Sequence, residues 1–182
     1  MNKKNLIIIS LVPFLFSCYL KDEIYDYFNF CSENLLNYDQ TESILQNKDI
    51  SYQLETFIAE KEEEYKTGLM CRRNLPPNID GMIFKYKQEQ NRGFWMYKTY
   101  IPLTVIYFDK NGYSIKISHM SPCKREIFES KNDHELRCLE ESFDYRPSSE
   151  YLSVLEIRSD YKYMDELKSL EEDEKLKLII KN

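Results

Sequence analysis

Val105-Ile106-Tyr107-Phe108-Asp109-Lys110-Asn111-Gly112-Tyr113-Ser114-Ile115-Lys116-Ile117 decides the fold. Two runs rich in β-branched and aromatic residues flank a turn in which Asn-Gly accepts the positive φ that a tight hairpin demands. Working outward, Tyr52 to Ile58 alternates as a strand, and Met82 to Tyr86, Phe94 to Thr99 and Leu103 to Phe108 carry the same enrichment. Tyr151 to Ile157 and Lys175 to Ile180 supply two later strands, and the acidic run Glu60 to Lys66, ending near Gly68, reads as one short helix closed by a glycine. The expected fold is mainly β: a small antiparallel β-sandwich or open barrel with one short helix, spanning residues 51–182.

Composition narrows the function. The 182 residues suit one domain plus extensions. Lys and Arg number 25 against 31 Asp and Glu, and the net charge of -6 repels a phosphate backbone, so nucleic acid is not an expected partner. Four glycines exclude repeated glycine-rich phosphate loops, and two histidines leave few of the commonest ligands and general bases. No cofactor is implied. The Glu62-Glu63-Glu64 run reads as a solvated helix face rather than an acid catalyst.

The amino terminus carries an address. Lys3 and Lys4 precede an apolar stretch from Leu6 to Phe16, broken only by Ser10 and Pro13. Spanning a bilayer takes about 20 apolar residues, so the stretch reads as a cleaved signal sequence over residues 1–17. Leu15-Phe16-Ser17-Cys18 resembles a bacterial lipobox, with a branched residue at -3 and a small one at -1 before the cysteine; Phe16 is bulkier than the usual pattern. A plain secretory signal is the competing reading. Lipidation at Cys18 attaches two or three acyl chains, and at about 0.8 kcal/mol per buried methylene these form a stable anchor where one chain binds only marginally. Losing Lys3 and Lys4 takes the net charge from -6 to -8, so the acyl chains rather than surface charge must hold the membrane. Residues 18–50, polar with interspersed aromatics, read as a lipidated, partly helical tether.

Several signatures then occur in one order: Gly68-Leu69-Met70 with Arg72, Gly81-Met82-Ile83-Phe84, Phe94-Trp95-Met96-Tyr97-Lys98-Thr99, Ile101-Pro102-Leu103 and Phe108-Asp109. Pro122-Cys123, Cys138 and Tyr151-Leu152-Ser153-Val154-Leu155-Glu156 follow. Together these resemble the family called domain of unknown function 192, over about residues 51–157, and the strand Leu176 to Ile180 is similar to that family's last. The resemblance implies a small, mainly antiparallel β domain of exported or membrane-associated prokaryotic proteins with no settled activity. Three polar positions depart from the family pattern: Lys98 for Asn, Thr104 for Asp and Tyr65 for Arg. Fold transfers by such a likeness more securely than function.

The polar residues beside these signatures, with the single tryptophan, form the candidate ligand-binding set: Arg72, Trp95, Lys98, Thr99 and Asp109. Core packing is the competing reading for Phe94, Trp95 and Met96, and turn capping or surface pairing for the polar residues. Four cysteines remain after Cys18. Cys123 and Cys138 match the family's cysteine pair, and the resemblance implies a disulfide between them; Cys31 and Cys71 are open to a bond or to two free thiols. A rival reading takes His119, Cys123, His134 and Cys138, spaced as two H-x₃-C units, as a tetrahedral zinc set.

The expected function is therefore that of a bacterial cell-envelope protein, held extracytoplasmically through its lipid anchor and binding a small ligand, a glycan or another envelope protein. The alternative is an envelope hydrolase pairing His119 or His134 with Asp109 or Asp133.

Overall fold

A computed structural model describes residues 30–31, 36–169 and 175–181. The expected signal sequence, Cys18 and residues 19–29 and 32–35 of the expected tether lie outside the described residues. Among the described residues, beside the helical pair 30–31, seven strands and three helices follow in chain order: β1 (Asp39–Gln46), β2 (Ser51–Ala59), α1 (Glu62–Thr67), β3 (Gly81–Gln90), β4 (Leu103–Phe108), β5 (Ser114–Met120), α2 (Lys131–Tyr145), β6 (Tyr151–Arg158), α3 (Met164–Lys168) and β7 (Lys177–Ile180). The strands form one sheet in the order β5-β4-β6-β3-β2-β1-β7, antiparallel throughout except for the parallel pair β2 and β3.

The sheet curls into an open half-barrel. Its two edges meet where Tyr113 bridges Lys177, with Ser114 N donating to Leu176 O at 2.8 Å and Leu178 N to Gly112 O at 2.9 Å. That contact depends on the hairpin turn: Gly112 sits at φ 81, and Asp109 Oδ1 accepts from Asn111 N and Tyr113 N.

Strand alternation sorts the apolar side chains into two cores. Met82, Phe84, Val105, Tyr107 and Val154 face one way with the segment 94–101 and α2's Cys138, while Ile83, Ile106, Leu155 and Ile157 face the other with Met164 and Leu167 of α3. Strands β4 and β6 are consequently covered on both faces. Among the described residues no helix is long and apolar enough to cross a membrane.

Three local expectations change. Residues 39–46, read as tether, form β1, paired along its whole length with β2. Phe94 to Thr99 is not a strand: Thr99 N turns back to Met96 O and Lys98 takes φ 50, which breaks an extended run. The loop joining β5 to β6 contains the longest helix, α2, capped by Ser130, whose Oγ accepts from Asp133 N at 3.1 Å.

Candidate functional site

Two regions on the first core's side hold the residues of interest: a corner at α2 and a cleft beside α1. At the corner, Cys123 and Cys138 are joined in a disulfide, and Tyr97 bridges to Cys123. His134, one turn before Cys138, is buried, packs its ring 5.2 Å from Tyr97, and places Nε2 2.9 Å from Cys123 O. A carbonyl only accepts, so this ring nitrogen carries the proton and donates it. Arg137 ties the loop down: it meets Glu129 through Nε and Nη2 at 2.9 and 3.0 Å, Glu141 at 2.9 Å, and donates to Lys124 O at 2.7 Å. Hydrogen bonding from Arg137 lowers the Glu129 carboxyl to about 2.

The four-ligand zinc set does not assemble. Ligand atoms of Cys123, His134 and Cys138 lie within 4.8 Å of one another, but both sulfurs are spent in the disulfide, whereas zinc takes thiolates. His119 is elsewhere, on β5, with Nδ1 2.8 Å from Thr104 Oγ1, and that hydroxyl also contacts Met164 of the second core. Of the carboxylates in the hydrolase pairings, Asp109 accepts in the hairpin turn and Asp133 in the cap of α2.

The five candidate ligand-binding residues divide three ways. Arg72 and Lys98 fasten the segment that precedes β1: the Arg72 guanidinium lies 5.3 Å from the Tyr38 ring and 4.9 Å from that of Phe57 and donates to Leu36 O, while Lys98 Nζ lies 4.3 Å from the Phe30 ring. A second disulfide, Cys31–Cys71, closes the same seam. Asp109 belongs to the turn. Trp95 and Thr99 line the cleft.

This cleft has a wide mouth of about 700 Å³ between α1, the end of β3 and the segment 92–95. Its walls include Tyr65, Tyr86, Phe94, Trp95 and Tyr151; ring contacts run from Tyr65 against Tyr86 at 4.5 Å through Tyr86 against Tyr151 at 5.9 Å to Tyr107 against Tyr151 at 4.9 Å, and the Trp95 ring lies 5.2 Å from that of Tyr97. Tyr65, Lys66, Phe94 and Trp95 also line a narrow space of about 30 Å³ reaching Gly68, Phe84, Thr99 and Glu156. It adjoins the mouth through these four shared residues and has room for about one water-sized group. The helix stops in time to leave this space because Gly68, at φ 48, ends α1; a Cβ there would come within 3.1 Å of Phe84 Cζ.

Glu156 is the residue sequence reasoning passed over. On β6 it stands between Met82 of β3 and Val105 of β4, both fully buried, and is itself 4% exposed. Burial alone acts on its carboxyl, with no cation to offset it, and pushes it up to about 8. The acid is largely protonated at neutral pH.

The geometry sits within a recognisable domain. The family model of DUF192, described as an uncharacterized ACR, matches residues 43–167, more than half of the chain. The chain belongs to the DUF192 family. A crystal structure from Sinorhizobium meliloti 1021, named as that of a candidate transcription regulator, superposes with a TM-score of 0.57 at 19% identity, covering 80% of this chain and 96% of that one. A protein of unknown function from Novosphingobium aromaticivorans DSM 12444 gives 0.56 at 20% identity, covering 77% and 84%. At such identities the likeness is one of fold. No curated protein matches. The signatures that carry the DUF192 resemblance now have physical roles: Gly68 ends α1 at the cleft, Phe84, Phe94 and Trp95 wall it, and Glu156 closes it.

Proposed function

We propose that this DUF192 protein is a lipid-anchored, extracytoplasmic component of a bacterial envelope whose β domain binds a small ligand in the cleft beside Trp95. The observation that carries the reading is the cleft itself: an aromatic-walled opening of about 700 Å³, within the size range of small-molecule sites, that narrows onto a buried polar group. The Leu15-Phe16-Ser17-Cys18 motif supports the anchor, and two disulfides suit an oxidising compartment.

Two measurements test the reading. Metabolic labelling with an alkyne fatty acid in a bacterial host should mark the wild-type chain and not Cys18→Ala; equal labelling, or none in either, rejects the anchor. In a thermal-shift screen of the folded protein, compounds that raise the melting temperature should lose that effect when Trp95→Ala and Thr99→Ala are combined. Protection unchanged by both substitutions rejects the cleft.

A further inference from the structure

A buried carboxyl with no cation beside it is expensive to keep. Removing an acid from water costs several kcal/mol unless it is paired or protonated, and an amide or apolar residue of similar volume at that position gives a more stable sheet. Glu156 faces an accessible space rather than solid core, and that space is bounded by the rings of Phe84, Phe94 and Trp95. An acid surrounded by aromatic faces suits a cation of about one water's size, because charge pairing, hydrogen bonding and attraction to the ring faces then act together. The mouth has the opposite character. There Lys66 pairs with Glu62 at 3.3 Å, Lys61 with Glu64 at 2.8 Å and Glu60 with Lys85 at 3.2 Å, which leaves Lys87 and Arg92 as the positive charges unmatched among the described residues.

We infer that the cleft takes a small zwitterion, its primary ammonium group seated against Glu156 and its anionic end held at the mouth by Lys87 and Arg92. This rests on the cleft being the ligand site and names what enters it. Entry of the ammonium displaces the proton of Glu156 to solvent, so binding releases one proton and creates an ion pair. The phenols facing Glu156 do not change charge near neutrality, since Tyr38, Tyr86 and Tyr107 are all raised by burial, and Lys66 pairs with Glu62 at the surface.

Trp95 is the only tryptophan and lines both the mouth and the inner space, so its emission reports on occupancy of the cleft. The probes are ω-amino acids from glycine to 6-aminohexanoate, with the matching alkyl carboxylates and alkylammonium salts as controls, titrated into the full chain in detergent. At least one ω-amino acid should shift the emission saturably and tighten about tenfold from pH 6 to pH 7, as the ionised fraction of Glu156 grows. Glu156→Gln should weaken it tenfold or more, and Arg92→Gln should weaken the ω-amino acid but not its alkylammonium counterpart. Unchanged affinity in Glu156→Gln, equal binding of the alkyl carboxylate, or no response at tens of millimolar overturns the assignment. If screening compounds protect the fold through Trp95 and Thr99 while every ω-amino acid is inert, the binding module stands and the zwitterion falls.

Discussion

The α2 corner and the Trp95 cleft lie on the same side of one sheet and treat their polar groups in opposite ways. At the corner every group noted is engaged: the cysteines with each other, His134 with a carbonyl, and Arg137 with two carboxylates and a carbonyl. In the cleft, Glu156 is buried with no charge to answer it. The corner has the chemical composition of a metal or catalytic site and the geometry of a clamp. The cleft reads in sequence as apolar core and holds the group that is costly to bury. Residue type alone therefore points to the wrong region, and the state of satisfaction of each polar group separates structure from function.

The two regions should also answer pH in opposite directions. Glu156 is raised in the folded chain, so between its unfolded value of 4.5 and about 8 the folded state holds a proton that the unfolded state has released. Its contribution is complete below 4.5, is lost as pH rises through that window and is gone above it. At about 1.36 kcal/mol per unit the loss reaches about 4 kcal/mol by pH 8. Urea unfolding from pH 5 to pH 8 should show wild-type stability falling by that order relative to Glu156→Gln, with the variant the more stable at the alkaline end; parallel curves remove the distinction between the regions.

Next in size is the corner's covalent clamp. Replacing both Cys123 and Cys138 by serine reopens a 15-residue separation and should cost about 3 kcal/mol at neutral pH, read by the same denaturation, while leaving the pH dependence set by Glu156 unaltered. A change in that dependence would show that the regions are coupled and not separate.

A smaller effect sharpens the contrast from the acid side. Glu129 is lowered to about 2, so its pairing contributes fully above 4.5 and disappears as pH falls through about 2. Arg137→Ala should cost about 2 kcal/mol at pH 7, the scale of hydrogen bonds to charged groups, and that cost should shrink steadily below pH 4. A penalty that persists undiminished at pH 2 would assign it to lost packing of the arginine stem.

The legible parts of the fold are those where side-chain period and turn chemistry agree. The β4–β5 hairpin, β2, β3, β6, β7 and α1 follow from alternation, Asn111-Gly112 and Gly68. Helix α2 was hidden because it buries His134, Cys138 and Ser142 while Leu136, Leu139 and Phe143 stay exposed, which inverts the apolar stripe on which a reader relies. Strand β1 was hidden because Asp39-Gln40-Thr41-Glu42-Ser43 is polar on both faces; only its pairing with β2 and β7 makes it a strand. The cleft was half legible. Trp95 and Thr99 followed from their signature, but Glu156 was treated as part of a motif and given no role. A signal was present: Val154, Leu155 and Ile157 make β6 apolar on both faces, and a strand with no solvent face leaves its glutamate nowhere to go but inside.

Glu156, the ionisable group that sets the cleft apart from the corner, can be observed directly. With the chain labelled at glutamate side-chain carboxyls with carbon-13, and Glu156→Gln used to assign the signal, the Glu156 resonance should titrate with a midpoint near 8, far above the other glutamates. A midpoint in the ordinary carboxylate range, near 4.5, would mean that Glu156 is solvated or paired, and the contrast between a sealed corner and a cleft awaiting a cation would be contradicted.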